Sequence, residues 1–155
     1  MNSTKYKSAL AALALSAGTV LTASAGLAQD AGETPIRIIV GDTVFEGHLN
    51  STTMAQRLSD RLPMTVTFGE HPGGGGFDTK VTHLEPPLST EGTELGAAPG
   101  PGDIALYVPS GNLGFYYGQL RHWPGAVVLG TYEGDPGFFE RQTGEFTVTI
   151  EVAER

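Results

Sequence analysis

The most regular stretch of the chain lies near its end, where Phe146-Thr147-Val148-Thr149-Ile150-Glu151-Val152 alternates apolar and polar residue by residue. A strand sends successive side chains to opposite faces, so this pattern predicts a half-buried strand with Phe146, Val148, Ile150 and Val152 inward. Thr147, Thr149 and Glu151 then face out. Met64 to Phe68 repeats the pattern, with Met64, Val66 and Phe68 inward. Ile36 to Val40 is a β-branched run, and Gly41-Asp42 separates it from a second alternating segment, Thr43 to Leu49. That two-residue turn predicts an antiparallel hairpin. The inner side of its second strand stays open, because Val44 and Glu46 oppose Phe45 and Leu49. Asn50-Ser51-Thr52 offers capping side chains to a helix over about Thr52 to Arg61. Met54, Ala55, Leu58 and Leu62 form its one apolar stripe, and Pro63 ends it.

The middle of the chain, Pro101 to Tyr132, organises the rest. It predicts three strands, Ile104 to Val108, Leu113 to Tyr117 and Ala126 to Tyr132, the first two joined by the turn residues Pro109-Ser110-Gly111-Asn112. Phe77 to Leu84 is a further strand candidate. Gly134-Asp135-Pro136 starts a short helical turn through Arg141, with Phe138 and Phe139 placed to plug one end of a core. About eight short strands, one or two short helices and turn signals every eight to twelve residues predict a mainly β domain. A closed eight-stranded antiparallel barrel with short capping helices is the expected architecture, since closure removes exposed sheet edges.

Ahead of this domain, Lys5 and Lys7 precede an uncharged Ala/Leu-rich run from Ser8 to Leu21, followed by small residues at Ala23-Ser24-Ala25 and Gly26-Leu27-Ala28. Residues 1–28 thus read as a secretory signal peptide cleaved after Ala25 or Ala28, residues 29–35 as a linker and residues 36–152 as the domain. The apolar run is short of the roughly 20 residues that span a bilayer. A periplasmic or secreted protein with no membrane attachment after cleavage is expected. The formal net charge of −8 opposes binding to nucleic acid or anionic lipid. With no cysteine, thiol chemistry, thiolate metal sites and disulfide staples are excluded.

Several motifs, in order, resemble a known family. Leu62-Pro63-Met64 follows the helix, then come Leu88-Ser89-Thr90-Glu91-Gly92, Gly102-Asp103-Ile104, Gly111-Asn112-Leu113, Phe115-Tyr116-Tyr117 and Leu129-Gly130. Together they resemble the bacterial cyclophilin-like fold proteins, over roughly Ile36 to Val152. The resemblance implies an eight-stranded cyclophilin-type barrel capped by helices, and no particular reaction. Prolyl isomerases of the cyclophilin family carry Phe-His-Arg and Gln-Gly-Gly-Asp segments that contact the substrate around the proline amide, and neither occurs in this sequence.

Candidate chemistry is sparse. His48, His71, His83 and His122 are scattered without His-x-His or His-x-x-x-His spacing, so no metal and no cofactor is expected. The glycines of His71-Pro72-Gly73-Gly74-Gly75-Gly76-Phe77 lack a following Lys-Ser/Thr and a helix, which favours a hairpin-type connection over a phosphate loop. Ser110 reads as a turn residue, not as a nucleophile. The Pro/Gly-rich stretch Glu85 to Gly102 is a candidate cleft rim. The best contact surface is the aromatic and polar group around Phe115 to Trp123, with Tyr117, Arg121, His122 and Trp123 as ligand-binding candidates. Trp123 reads equally as core or site, and Phe115 reads as core. The function expected is binding of a peptide or small molecule without a demonstrated reaction. A divergent prolyl isomerase, with Arg121 polarising the twisted amide, and a structural scaffold of the cell envelope are the alternatives.

Overall fold

Strand pairing in the computed structural model, which describes residues 32–74 and 76–154, closes on itself. The strands are β1 (Thr34–Val40), β2 (Thr43–Leu49), β3 (Met64–Glu70), β4 (Thr79–His83), β5 (Asp103–Tyr107), β6 (Asn112–Tyr116), β7 (Ala126–Tyr132) and β8 (Phe146–Val152). Their order around the closed barrel is β1-β2-β7-β5-β6-β4-β3-β8, with every pairing antiparallel. The proposed signal peptide lies outside the described residues. Among the described residues no helix is long and apolar enough to cross a membrane.

The alternating segments behave as expected. In the β1–β2 hairpin Ile38 faces Phe45, and burial of Phe45 and Leu49 with Val44 exposed settles which side of β2 is inner. Val148, Ile150 and Phe68 are buried, and Met64, Val66 and Phe146 pack against the same core. Val152 is a correction: it is 43% exposed, because it is the last residue of β8 and lies beyond the final β3–β8 pair, Met64 with Ile150, so that only β1 flanks it. Strand β1 begins at Thr34, two residues before the expected start, since Thr34 and Pro35 pair with Leu49 and His48. Helix α1 (Thr53–Ser59) is capped by Thr52, whose hydroxyl accepts the Ala55 amide. Its stripe buries Met54, Ala55 and Leu58.

Helix α2 (Gly137–Glu140) delivers Phe139 into one end of the barrel. The Phe139 ring stacks on Phe115 with centroids 4.6 Å apart, and Phe115 in turn stacks on Phe68 at 4.6 Å. Phe45 and Tyr132 meet Phe139 at 5.3 and 5.1 Å. Each such pair contributes about 0.5–1.5 kcal/mol beyond its buried area, so the plug holds several strands at once. The Tyr132 hydroxyl donates to the Tyr116 carbonyl within this core, and burial above all pushes its pKa well above the ordinary phenol value.

Strand β4 lacks alternation for a physical reason: Thr79, Lys80, Val81 and Thr82 are all buried. Lys80 and Thr82 sit opposite Phe115 and Leu113 and so face the interior, while Thr79 and Val81 face out. The Lys80 ammonium ends at the barrel mouth, paired with the Glu70 carboxylate and 5.9 Å from the Tyr117 ring centre. Truncation of the plug should therefore be costly. Phe139→Ala is expected to lower stability by about 3–5 kcal/mol, read as an earlier midpoint in urea unfolding followed by Trp123 emission, with an unchanged slope.

Candidate functional site

Four buried residues, Val81, Ala105, Tyr116 and Ala126, lie outside the interior core cluster. Register explains them: Val81 pairs with Gly114, which pairs with Ala105, and Tyr107 pairs with Ala126, so all stand on the outer face of β4, β6, β5 and β7. Loops fold back over this face and border a half-open cavity of about 280 Å³. Thr79, Tyr116, Asn112 and Tyr107 form its floor. Close approach is built into that floor at Gly114, where a β-carbon would stand 2.4 Å from the Thr79 hydroxyl.

Three connections make the walls. The first is the glycine-rich segment between β3 and β4, which brings His71, Pro72 and Phe77 to the cavity. The second and third carry Pro99, and Leu120 with Trp123, and they are zipped together by backbone hydrogen bonds. The Leu120 amide donates to the Pro99 carbonyl at 2.8 Å, and Ala97 and Trp123 exchange two bonds of 2.8 and 3.2 Å. The Gln119 carboxamide adds a clasp to the Ala98 and Pro99 carbonyls, each 3.3 Å. Trp123 is the hub of the wall. It meets Phe77 and Tyr107 edge to face, both with centroids 5.3 Å apart, and Phe77 stacks on the His71 ring at 4.1 Å.

Among the described residues no Asp, Glu, Lys or Arg lines this cavity. Apolar carbon dominates, and the polar side-chain groups belong to His71, Thr79, Ser110, Asn112, the phenols of Tyr107 and Tyr116 and the indole of Trp123. Burial lowers the His71 pKa below its ordinary value of 6.5, favouring the neutral ring. The Trp123 indole N–H is buried without a hydrogen-bond partner among the described residues, a state that costs about 1–3 kcal/mol until an acceptor reaches it. Such a chamber suits an uncharged group with an apolar ring and few polar atoms. No group of three or more metal-ligating side chains is found among the described residues.

The four residues singled out from the sequence do not converge. Trp123 lines the cavity, and the Arg121 guanidinium carbon lies 5.9 Å from the centre of the Trp123 ring, exposed beside it. His122 is exposed and packs beside Gly96. Tyr117 packs against the interior core above Lys80, while its neighbour Tyr116 reaches the cavity. Of the Glu85 to Gly102 rim, Pro99 is the residue that lines it. Missed altogether were His71, Phe77, Tyr107 and Asn112. The available signal was the pair of rings flanking the glycine run, which attention to the glycines themselves obscured.

Residues 38–151 match the model of the Cyclophilin-like family. Among solved structures, the chain is similar to the hypothetical protein AF2241 from Archaeoglobus fulgidus, with a TM-score of 0.59 and 16% identity, covering 78% of this chain and 95% of that one. At that identity the likeness speaks for the fold alone. No curated protein is similar enough to this chain to count as a relative. The tight floor gives a direct test of the packing: Gly114→Ala is expected to cost about 1–3 kcal/mol by overpacking Thr79, measured from the shift in thermal midpoint by calorimetry.

Proposed function

The chain belongs to the cyclophilin-like family, and from that premise we propose that it is an exported barrel that binds a peptide or small neutral ligand in the cavity on the outer sheet face. The observation that carries this reading is the lining: a cavity of about 280 Å³ lined by Phe77, Trp123, Tyr107 and two prolines, with no charged side chain among the described residues. An apolar ring placed there exchanges water for aromatic and proline surface, at about 25 cal/mol per Å² buried. The Asn112 carboxamide can both donate to and accept from an amide, so a proline ring flanked by peptide bonds matches the chamber in shape and in polarity. A charged group would enter without a partner and pay heavily for its lost hydration.

A second reading, a divergent prolyl isomerase, is favoured by one placement. Arg121 stands beside Trp123, its guanidinium carbon 5.9 Å from the centre of that ring, and is the cation next to the cavity wall that could act on the carbonyl of a bound X-Pro bond. Rotation about that bond in water faces a barrier of roughly 20 kcal/mol, and a site that holds the twisted amide better than either planar form accelerates it.

Titrating the protein with acetyl-Ala-Ala-Pro-Ala-amide while following Trp123 emission, with isomer exchange recorded by NMR in the same samples, tests both readings. A saturable change is expected, weakened about tenfold or more in Phe77→Ala, which removes one ring of the wall. Exchange accelerated by the wild type and not by Arg121→Ala identifies an isomerase. Silence at millimolar peptide in both measurements removes these readings and leaves an envelope scaffold. Export has its own check. Produced in a bacterial host with an outer membrane, the full chain is expected in the periplasmic fraction or medium, with intact mass showing a start at Gly26 or Gln29. Cytoplasmic full-length protein would overturn it.

A further inference from the structure

The glycine-rich connection is more than a link, because its first residue is fastened from within. The Gly73 amide donates to His71 Nδ1 at 2.9 Å, and the Gly74 amide donates to the His71 carbonyl at 2.9 Å. A nitrogen that accepts a backbone N–H holds a lone pair and no proton. The neutral His71 ring therefore carries its proton on Nε2, a donor with no partner among the described residues. The same ring lines the cavity and stacks on Phe77, which leans on Trp123.

We infer that His71 determines which ligands this cavity accepts, presenting a neutral Nε2–H donor that selects an uncharged carbonyl, as in an internal or blocked X-Pro amide, over a free carboxylate or a cation. The inference rests on the cavity being the ligand site. It deepens that reading by assigning the one imidazole among the lining residues a defined task. A ligand carboxylate would meet only neutral donors, an apolar wall and a protein of net charge −8. A cation would find no carboxylate in the lining. A peptide carbonyl needs only one good donor, with the ring of the same residue or its neighbour against Phe77 and Trp123.

A pH dependence follows from the same geometry. Protonating His71 places an N–H on Nδ1, which then faces the Gly73 amide, and the fastening that sets the ring is lost. The charged groups near it do not offset this. Glu70 is drawn to Lys80, Asp78 packs on Gly118, Arg121 lies on Trp123, and none of them forms an ion pair with His71. Tyr116 on the floor stays a neutral phenol, its pKa raised by burial. With the fastened ring titrating below 6.5, the fastened wall prevails at and above 6.5 and is lost as pH falls through the lowered value. Below that lowered value affinity can fall by up to about tenfold per pH unit.

The test is calorimetric titration with acetyl-Ala-Pro-Ala-amide and with acetyl-Ala-Pro as the free acid, from pH 7.5 to 5.0, together with the ¹⁵N resonances of the His71 ring. The inference expects the Nε2–H tautomer in the free protein. It also expects the amide peptide to bind at least tenfold tighter than the acid at pH 7.5 and at least fivefold weaker at pH 5.0 than at pH 7.5. His71→Phe should lose about tenfold in affinity for the amide. His71→Gln, which keeps an acceptor for Gly73 and a donor for the ligand without titrating, should recover part of that loss and show a flat pH profile. An amide peptide that binds with a flat wild-type profile, or with the wild-type slope preserved in His71→Gln, overturns the role of His71 and leaves the cavity as the ligand site. Absence of binding at every pH removes the cavity reading and this inference with it.

Discussion

The ladder between β4 and β6 joins the two halves of this molecule. Because paired residues share a face, it sends Phe115 and Lys80 into the barrel and Tyr116 and Thr79 into the outer cavity within two consecutive rungs. The core on one side holds the register, and the register sets the floor on the other. A slip of one residue would exchange the two faces, placing Tyr116 against the Phe139 plug and opening the cavity floor. The stacked rings of Phe68, Phe115 and Phe139 therefore position the site without touching it.

Charge is sorted by the same arrangement. Ion pairs sit where water reaches at least one partner: Arg37 with Glu151 on the outside of β1 and β8, Arg141 with Asp135 at the start of α2, and Lys80 with Glu70 at the mouth of the barrel. Lys80 is the costly member, since its side chain is buried and a charge there without Glu70 would lack compensation. The cavity, by contrast, has no carboxylate, ammonium or guanidinium in its lining among the described residues, whose titratable side chains there are the His71 imidazole and the phenols of Tyr107 and Tyr116.

Much of the barrel was legible because half-buried strands write their two faces into the sequence. Phe146 to Val152, Met64 to Phe68 and the Gly41-Asp42 hairpin are of that kind, and Thr52 marked its helix by its own capping bond. Strand β4 was faint because both its faces are covered, which leaves no alternation to read. The site was less legible for a different reason. Its walls are loops held by main-chain bonds, such as Leu120 to Pro99 and Trp123 to Ala97, and main-chain bonds leave little trace in residue type. Tyr117 was singled out where Tyr116 lines the chamber, since alternation ties Tyr117 to Phe115 and a single stretch of aromatics does not say which parity faces in.

Closure of the sheet also limits how a partner can be held. An open edge offers a row of unpaired amides and carbonyls on which any extended peptide can add a strand, largely regardless of its side chains. Here each strand already has two neighbours, so that generic mode of capture is spent within the molecule. A partner held on the face of such a sheet would be read by shape and by the one group it inserts, not by adding its backbone to the ladder. The closed barrel in this sense leaves extended chains none of the free edge that an unfinished sheet would offer them.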